Sequence, residues 1–146
     1  MESLEKDYSR LNAEPVLEEL ELLIEDGRSR NMREVCKRLS IFDWWVDTLS
    51  VSRMKQMRSF LKLAIELGYT GYVCFKVGVK GCASGMWAHK EPTTNGYSPD
   101  GDFIYRSFTT DSTWYQVCKG KEVFPKGSDW KSIKTAPQFK RFVATL

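Results

Sequence analysis

The spacing of apolar residues changes once along the chain, close to Gly68. Before that glycine, apolar residues recur every three or four positions, which is the period of an amphipathic helix. From Tyr72 to Cys118 they alternate with polar residues or cluster with aromatic ones, which is typical of strands. We therefore predict helices in residues 1–68 and a sheet in residues 69–124.

Start and stop signals divide the first half into four predicted helices. Proline is favoured at the first position of a helix and glycine just after its end, so Pro15 and Gly27 bracket the second helix. Asn31 with Glu34 three residues later resembles a capping pair, and it opens the third helix. The four predicted helices are Glu2–Asn12, Pro15 to Gly27, Asn31 to Leu49 with a break near Ser40 as an alternative, and Val51–Leu67 with Gly68 as its stop.

Turn formers separate four predicted strands in the second half. Lys80-Gly81 turns the chain once, and residues 92–101 form a loop that contains Asn95-Gly96 and a further Pro-Asp-Gly turn. Short connections between strands favour antiparallel pairing of neighbours. The predicted strands are Tyr72 to Val79, about Ser84 to Lys90, Phe103 to Phe108, and Thr113 to Cys118.

The last part of the chain, residues 125–146, is predicted to return to helix, with Pro137 opening its final turn. Helices first and strands second, rather than in alternation, indicate an α+β fold. We expect N-terminal helices packed on a four-stranded antiparallel meander, with a short C-terminal helix. The length of 146 residues fits a single domain that spans residues 1–146.

Composition places the chain among ordinary globular proteins. No stretch approaches the about 18 uninterrupted apolar residues of a membrane span. The acidic start, Met1 to Asp7, lacks the order of a secretory signal, so we expect an intracellular, reducing compartment. A removed transit peptide for import into an organelle would leave no trace in this sequence. A chain of this length does not need disulfides, so Cys36, Cys74, Cys82 and Cys118 are interpreted as thiols.

The net charge of +3 hides an uneven distribution. Residues 1–26 hold nine acidic side chains against two basic ones, and residues 28–62 hold nine basic side chains against three acidic ones. An acidic first pair of helices can therefore neutralise a basic second pair. The alternative is a basic surface that binds phosphates. Its candidate residues, all on the fourth predicted helix, are Arg53, Lys55, Arg58 and Lys62.

The sequence offers few candidates for chemistry. His89 is the one histidine, and a catalytic site needs a nucleophile, a base and an orienting group that converge. Cys82 lies seven residues before it and is the candidate thiol for an enzyme or a redox switch at Cys82/His89. Neither the Cys-x-x-Cys spacing of zinc sites nor the glycine-lysine pattern of a phosphate loop occurs. We therefore predict no catalytic residue, metal or cofactor.

Aromatic residues are concentrated in the sheet segment, and both faces of the third predicted strand carry them. One face holds Phe108 together with Ile104 and Arg106, and the other holds Phe103 and Tyr105 together with Ser107. Helices cover one face of such a sheet. The second face is either covered by the C-terminal helix or receives a partner. The predicted partner-binding residues are Trp87, His89, Tyr97, Arg106 and Trp114.

Three functional hypotheses follow. The first is a non-enzymatic accessory or protein-binding domain that uses the aromatic sheet surface. The second is binding of single-stranded nucleic acid through the basic helices and the sheet aromatics. The third is the thiol-based enzyme or redox switch at Cys82 and His89.

Overall fold

The computed structural model describes residues 12–28, 30–31, 48–76, 85–91, 102–107, 115–120, 122–125 and 133–146. In this part of the chain the helices are α1 (Ala13–Asp26), α2 (Val51–Glu66) and α3 (Ala136–Val143). The strands are β1 (Arg30–Asn31), β2 (Thr48–Leu49), β3 (Val73–Lys76), β4 (Gly85–His89), β5 (Phe103–Ser107), β6 (Tyr115–Lys119) and β7 (Glu122–Phe124). The α+β class is confirmed.

The predicted C-terminal end of the second helix and both ends of the fourth agree with the local geometry, whereas the second helix begins at Ala13, two residues before the predicted start at Pro15. Pro15 still lies in the first turn, where its missing N–H costs no hydrogen bond of the helix. Gly27 adopts the left-handed conformation, with φ of 75°, and its N–H donates to the carbonyl of Ile24 at 3.0 Å.

At the start of α2, the side chain of Ser50 accepts a hydrogen bond from the backbone N–H of Arg53 at 3.1 Å. Gly68, with φ of 88°, follows the end of α2.

The third predicted helix is wrong at both ends. Arg30 and Asn31 pair antiparallel with Leu49 and Thr48, so Asn31 and Leu49 lie in strands. Asn31 therefore does not cap a helix, because its backbone is part of a ladder. Residues 32–47, which made up most of that prediction, lie outside the described residues, as do residues 2–11 of the first predicted helix.

The sheet is an antiparallel meander, as predicted, but it has five strands rather than four. Its spatial order, β3-β4-β5-β6-β7, is also the order along the chain. The sequence analysis missed β7 because its three residues do not alternate between apolar and polar. In the structure two of the three are exposed, so β7 contributes little to the apolar pattern of the core. Gly120, with φ of 64°, turns the chain between β6 and β7, where Cys118 lies opposite Val123.

One face of the sheet packs against all three helices. Buried residues from the helices and the sheet form a single cluster that contains Leu20, Met54, Phe60, Met86, Ile104, Val117 and Phe139. Phe139 of α3 is fully buried, and its ring stacks on Tyr115 with centroids 5.1 Å apart. The C-terminal helix therefore lies on the same side of the sheet as α1 and α2. The arrangement in which the C-terminal helix covers the second face of the sheet is therefore wrong for α3.

The strand alternation predicted for β5 is confirmed. Ile104 is buried in the helix-facing cluster, whereas Phe103 and Tyr105 point to the opposite side. None of the helices in the described ranges is long and apolar enough to cross a membrane.

Candidate partner-binding site

The sheet has a second face, opposite the helices, which we call the outer face. Register fixes its members because successive side chains of a strand point to opposite sides. Trp87 lies opposite both Cys74 and Tyr105, and Phe103 lies opposite both His89 and Cys118. The described residues of the outer face are Cys74, Gly85, Trp87, His89, Phe103, Tyr105, Ser107, Gln116, Cys118 and Val123.

An open groove of about 320 Å³ runs across the outer face from β4 to β7. Its described lining consists of Trp87, Phe103, Tyr105, Gln116, Cys118 and Val123. The three rings are half-buried and Val123 is 43% exposed. These six side chains are uncharged, and Gln116 supplies the one amide among them. The groove is therefore suited to an apolar group that brings at most one or two hydrogen bonds.

The aromatic wall of the groove is held in place by its neighbours. Trp87 and Tyr105 lie directly opposite each other, with ring centroids 4.8 Å apart and an interplanar angle of 43°. The Tyr105 ring lies over Gly85, and a β-carbon at that position would collide with it. Burial raises the pKa of Tyr105, and a hydrogen bond with Ser107 lowers it in part. The ring is thus fixed by contacts at its face and at its hydroxyl.

His89 is buried at the end of β4, between Tyr72 and Phe103. Its Nδ1 lies 3.0 Å from the carbonyl oxygen of Tyr72. Because a carbonyl oxygen only accepts hydrogen bonds, Nδ1 must carry the proton and donate. The backbone N–H of His89 donates to the same oxygen at 2.8 Å. These contacts hold the imidazole close to the strand that follows α2.

Beside the groove, Tyr72 and Cys74 form a small buried cluster with Trp87 packed against it. Burial raises the pKa of Tyr72 to about 12, with a smaller contribution from Cys74. Burial also raises the pKa of the Cys74 thiol to about 11. Cys74 is therefore a thiol rather than a thiolate at neutral pH, which makes it a poor nucleophile. The other described cysteine, Cys118, donates from Sγ to the carbonyl of Gly120 at 3.4 Å.

The structure separates the predicted partner-binding residues. Trp87 and His89 share the outer face, but Arg106 lies on the side of the helices, where its Nη1 donates to the carbonyl oxygen of Gln56 at 3.2 Å. Arg106 therefore does not contribute to the groove. Tyr97 and Trp114 lie outside the described residues, and so does Cys82 of the proposed thiol site.

The predicted phosphate-binding residues all lie on α2, in the layer of helices. Lys55 and Lys62 are exposed, whereas Arg53 and Arg58 are half-buried. Nζ of Lys62 lies 3.6 Å from a carboxylate oxygen of Glu21 on α1. This contact is the kind of neutralisation between acidic and basic helices that the charge distribution predicts. Within the described ranges, no group of three or more His, Cys, Asp or Glu side chains is placed to hold a metal ion.

Of the six lining residues of the groove, only Trp87 belonged to the predicted partner-binding set. Phe103 and Tyr105 were placed on a common strand face but were not named as partner-binding residues, and the other three were not identified.

Gln116, Cys118 and Val123 come from β6 and β7, and Val123 could not be assigned because β7 itself was not predicted. The sequence signal for the hairpin between β6 and β7 is Gly120 with a lysine on each side. This signal is weak because the residues around it do not alternate between apolar and polar. Once β6 and β7 are paired, the period of two places all three side chains on the outer face.

Comparisons with protein-family models, with curated proteins and with solved structures found no match for this chain.

Proposed function

We propose that this protein is a non-enzymatic protein-binding domain that receives apolar side chains of a protein partner in the groove of its outer face. The observation that carries the proposal is the position of the three rings: Trp87, Phe103 and Tyr105 line a groove on the sheet face opposite all three helices. Aromatic side chains held rigidly around a concavity are typical of the centres of protein interfaces.

The size of the groove supports an amino-acid side chain as the occupant. A dry apolar cavity of about 150 Å³ holds a benzene molecule, and the groove offers about 320 Å³. One large aromatic side chain, or two aliphatic ones, fits this space. The amide of Gln116 can hydrogen-bond to the backbone of the same partner segment.

The alternative, binding of single-stranded nucleic acid, requires bases on the aromatic rings and phosphates on the basic side chains of α2. The sheet lies between these two sets, because α2 packs on the face opposite the groove. One strand of nucleic acid therefore cannot contact Trp87 and Lys55 in the manner that the hypothesis requires. This separation favours the protein-binding proposal.

We further propose that residues 1–146 form one domain in a reducing, intracellular compartment. Support for the single domain comes from the shared core, to which α1, α2, the sheet and α3 all contribute. Support for the compartment comes from Cys74, which is a buried free thiol.

A peptide-display selection tests the function. A random peptide library is selected on the folded protein, and each enriched peptide is then measured against Trp87→Ala and the control Leu22→Ala. Leu22 is 52% exposed on α1, so its replacement removes apolar surface away from the groove. We expect enriched peptides with aromatic or aliphatic residues, binding at least about tenfold more weakly to Trp87→Ala and equally well to Leu22→Ala.

Thermal melting of both variants confirms that the comparison is made on folded protein. If the enriched peptides bind the Trp87→Ala variant as tightly as they bind the unaltered protein, the groove is not their binding site. A selection that enriches no peptide, together with binding of a dT oligonucleotide that Trp87→Ala abolishes, would favour the nucleic-acid hypothesis instead.

A further inference from the structure

The last strand of the sheet, β7, lies at an edge. It pairs with β6 on one side, and it ends the spatial order β3-β4-β5-β6-β7. An edge strand presents backbone N–H and C=O groups with which a further strand can pair. The register of the hairpin between β6 and β7 shows which residue presents these groups.

The hairpin closes with the pair formed by Lys119 and Glu122, which only two residues separate. A pair that closes so short a turn exchanges both of its backbone hydrogen bonds. Hydrogen-bonded and non-hydrogen-bonded pairs alternate in an antiparallel ladder, so the next pair, Cys118 with Val123, is of the second kind. The backbone N–H and C=O of Val123 therefore point away from β6, toward the edge of the sheet.

The two edges of the sheet differ in how they are covered. Among the described residues, no hydrogen bond involves the backbone N–H or C=O of Val123. At the opposite edge, Tyr72 lies just before β3 and pairs with Asn12. The N–H of Ala13 also donates to the carbonyl oxygen of Thr70 at 3.3 Å. The start of α1 thus covers one end of the β3 edge, whereas β7 presents a donor and an acceptor at its central residue.

The side chain of Val123 connects the edge of β7 to the groove. It lines the groove together with Cys118, and it is 43% exposed. Residues that lie directly opposite each other on neighbouring strands point to the same face, with β-carbons about 4.5–5.5 Å apart. A residue that pairs with Val123 from outside the sheet therefore projects its side chain onto the outer face, beside Val123.

We propose that the partner contributes an extended segment that pairs antiparallel with β7 at Val123 and places an aromatic side chain in the groove. The inference rests on the protein-binding function proposed above, and it adds the conformation of the partner and its main-chain contacts. Antiparallel pairing lets a single partner residue bond to both backbone groups of Val123. In recognition of this kind, main-chain hydrogen bonds supply affinity and pockets for side chains supply specificity.

The distance from the edge to the groove determines the size of the partner side chain. Neighbouring strands lie about 4.7–4.9 Å apart, so the side chain must extend past Val123 toward Cys118 on β6. An aromatic side chain spans this distance, whereas a small side chain ends beside Val123. The rings that line the groove also favour an aromatic occupant, through offset or edge-to-face contacts.

Two substitutions of Val123 separate the main-chain contact from the side-chain contact. Val123→Pro removes the outward N–H and keeps an apolar side chain of similar size, whereas Val123→Ala keeps the N–H and removes most of the side chain. The ladder between β6 and β7 does not use this N–H, so its hydrogen bonds remain in both variants. Thermal melting of each variant checks that the fold is retained.

The probes are synthetic peptides with the sequences that a random dodecapeptide library yields on the unaltered protein. We expect these peptides to bind Val123→Pro at least about fivefold more weakly than Val123→Ala, because proline leaves the partner carbonyl without a donor. If the two variants bind equally well, the pairing with β7 is overturned. An empty selection overturns both this proposal and the protein-binding function.

A second experiment leaves the protein unaltered, so it decides the matter even if Val123→Pro does not fold. Methylation of one peptide nitrogen at a time removes each N–H of the partner in turn. We expect binding to weaken at least about fivefold when the aromatic residue is methylated, and to change little at its two neighbours, whose N–H groups point away from β7. A peptide that tolerates methylation at every position contradicts the pairing.

Trp87→Ala distinguishes a failure of this proposal from a failure of the protein-binding groove. Peptides that are sensitive to Trp87→Ala but bind Val123→Pro and Val123→Ala equally well would leave the groove as the binding site and overturn the pairing with β7. Peptides that are sensitive to Val123→Pro but not to Trp87→Ala would instead overturn the groove.

Discussion

The Tyr105 ring occupies the space that a side chain at Gly85 would need. The two residues are diagonal neighbours on β5 and β4, since Tyr105 itself lies opposite Trp87. Gly85 is therefore required by the ring that covers it, rather than by its own backbone conformation. The position of the Tyr105 ring in the groove therefore depends on the absence of a side chain at residue 85.

We predict that Gly85→Ala lowers the free energy of unfolding by about 1–3 kcal/mol, because the added methyl group displaces the Tyr105 ring. The same substitution in a Tyr105→Ala background should cost at least about 1 kcal/mol less, since the conflicting ring is gone. Urea unfolding of the four proteins in this cycle measures the difference. Equal costs in the two backgrounds would show that the ring and the glycine are independent.

Phe139 is expected to be the main anchor of the C-terminal helix. Its ring is fully buried against Tyr115, so Phe139→Ala should lower the free energy of unfolding by about 3–5 kcal/mol. Phe142 is only partly buried, and Phe142→Ala is a matched control with the same change in side chain and the same helix. We expect the control to cost less than half as much in urea unfolding. Similar costs would place the anchor elsewhere on α3.

Alkaline pH should destabilise the protein through Tyr72 and Cys74. Their ordinary pKa values of 10.0 and 9.0 rise to about 12 and about 11 in the fold. Between these values the unfolded chain has lost protons that the folded chain keeps, so stability falls as pH rises. The stabilising contribution is complete below about pH 9 and is lost as the pH passes the folded values.

Tyr72→Phe removes one of these groups and keeps the backbone carbonyl that accepts from His89. Relative to its own value at pH 7, the urea midpoint of this variant should fall less between pH 9 and pH 11 than that of the unaltered chain. Parallel curves for the two proteins would mean that Tyr72 ionises in the fold as readily as in the unfolded chain.

The ion pair between Glu21 and Lys62 is expected to contribute little to stability. Both side chains are about half exposed and the charged atoms are 3.6 Å apart, so Lys62→Gln should change the free energy of unfolding by less than about 1 kcal/mol. Leu20→Ala, at a fully buried position on the same helix as Glu21, should cost about 2–5 kcal/mol. A cost for Lys62→Gln that matches Leu20→Ala would contradict the view that α1 and α2 are held by apolar packing.

Periodicity predicted the elements that have strong local signals. The ends of α2 follow from its apolar stripe and Gly68, and β4 to β6 follow from alternation bounded by turn formers. β7 could not be predicted, because Glu122 and Val123 are exposed and adopt strand conformation by pairing with β6. The pairing of Asn31 with Thr48 is likewise invisible to local patterns.

The site was predictable in part. Alternation along β5 already separates Arg106 from Tyr105, and the structure shows the consequence: the guanidinium lies under α2 rather than beside the rings. The side of the sheet on which α3 packs depends on the contact between Phe139 and Tyr115. Such a contact joins distant parts of the chain, so no property of either segment alone indicates it.

The order of the five-stranded sheet has a consequence for how the protein folds. Because every strand of the five-stranded sheet pairs with its neighbours in the chain, each pairing joins segments that are close in sequence. The start of α1 is different: Asn12 pairs with Tyr72, and the N–H of Ala13 donates to Thr70 across a long stretch of chain. The contact between α1 and the start of β3 therefore closes a much longer loop than any pairing within the sheet, and its closure costs more conformational entropy.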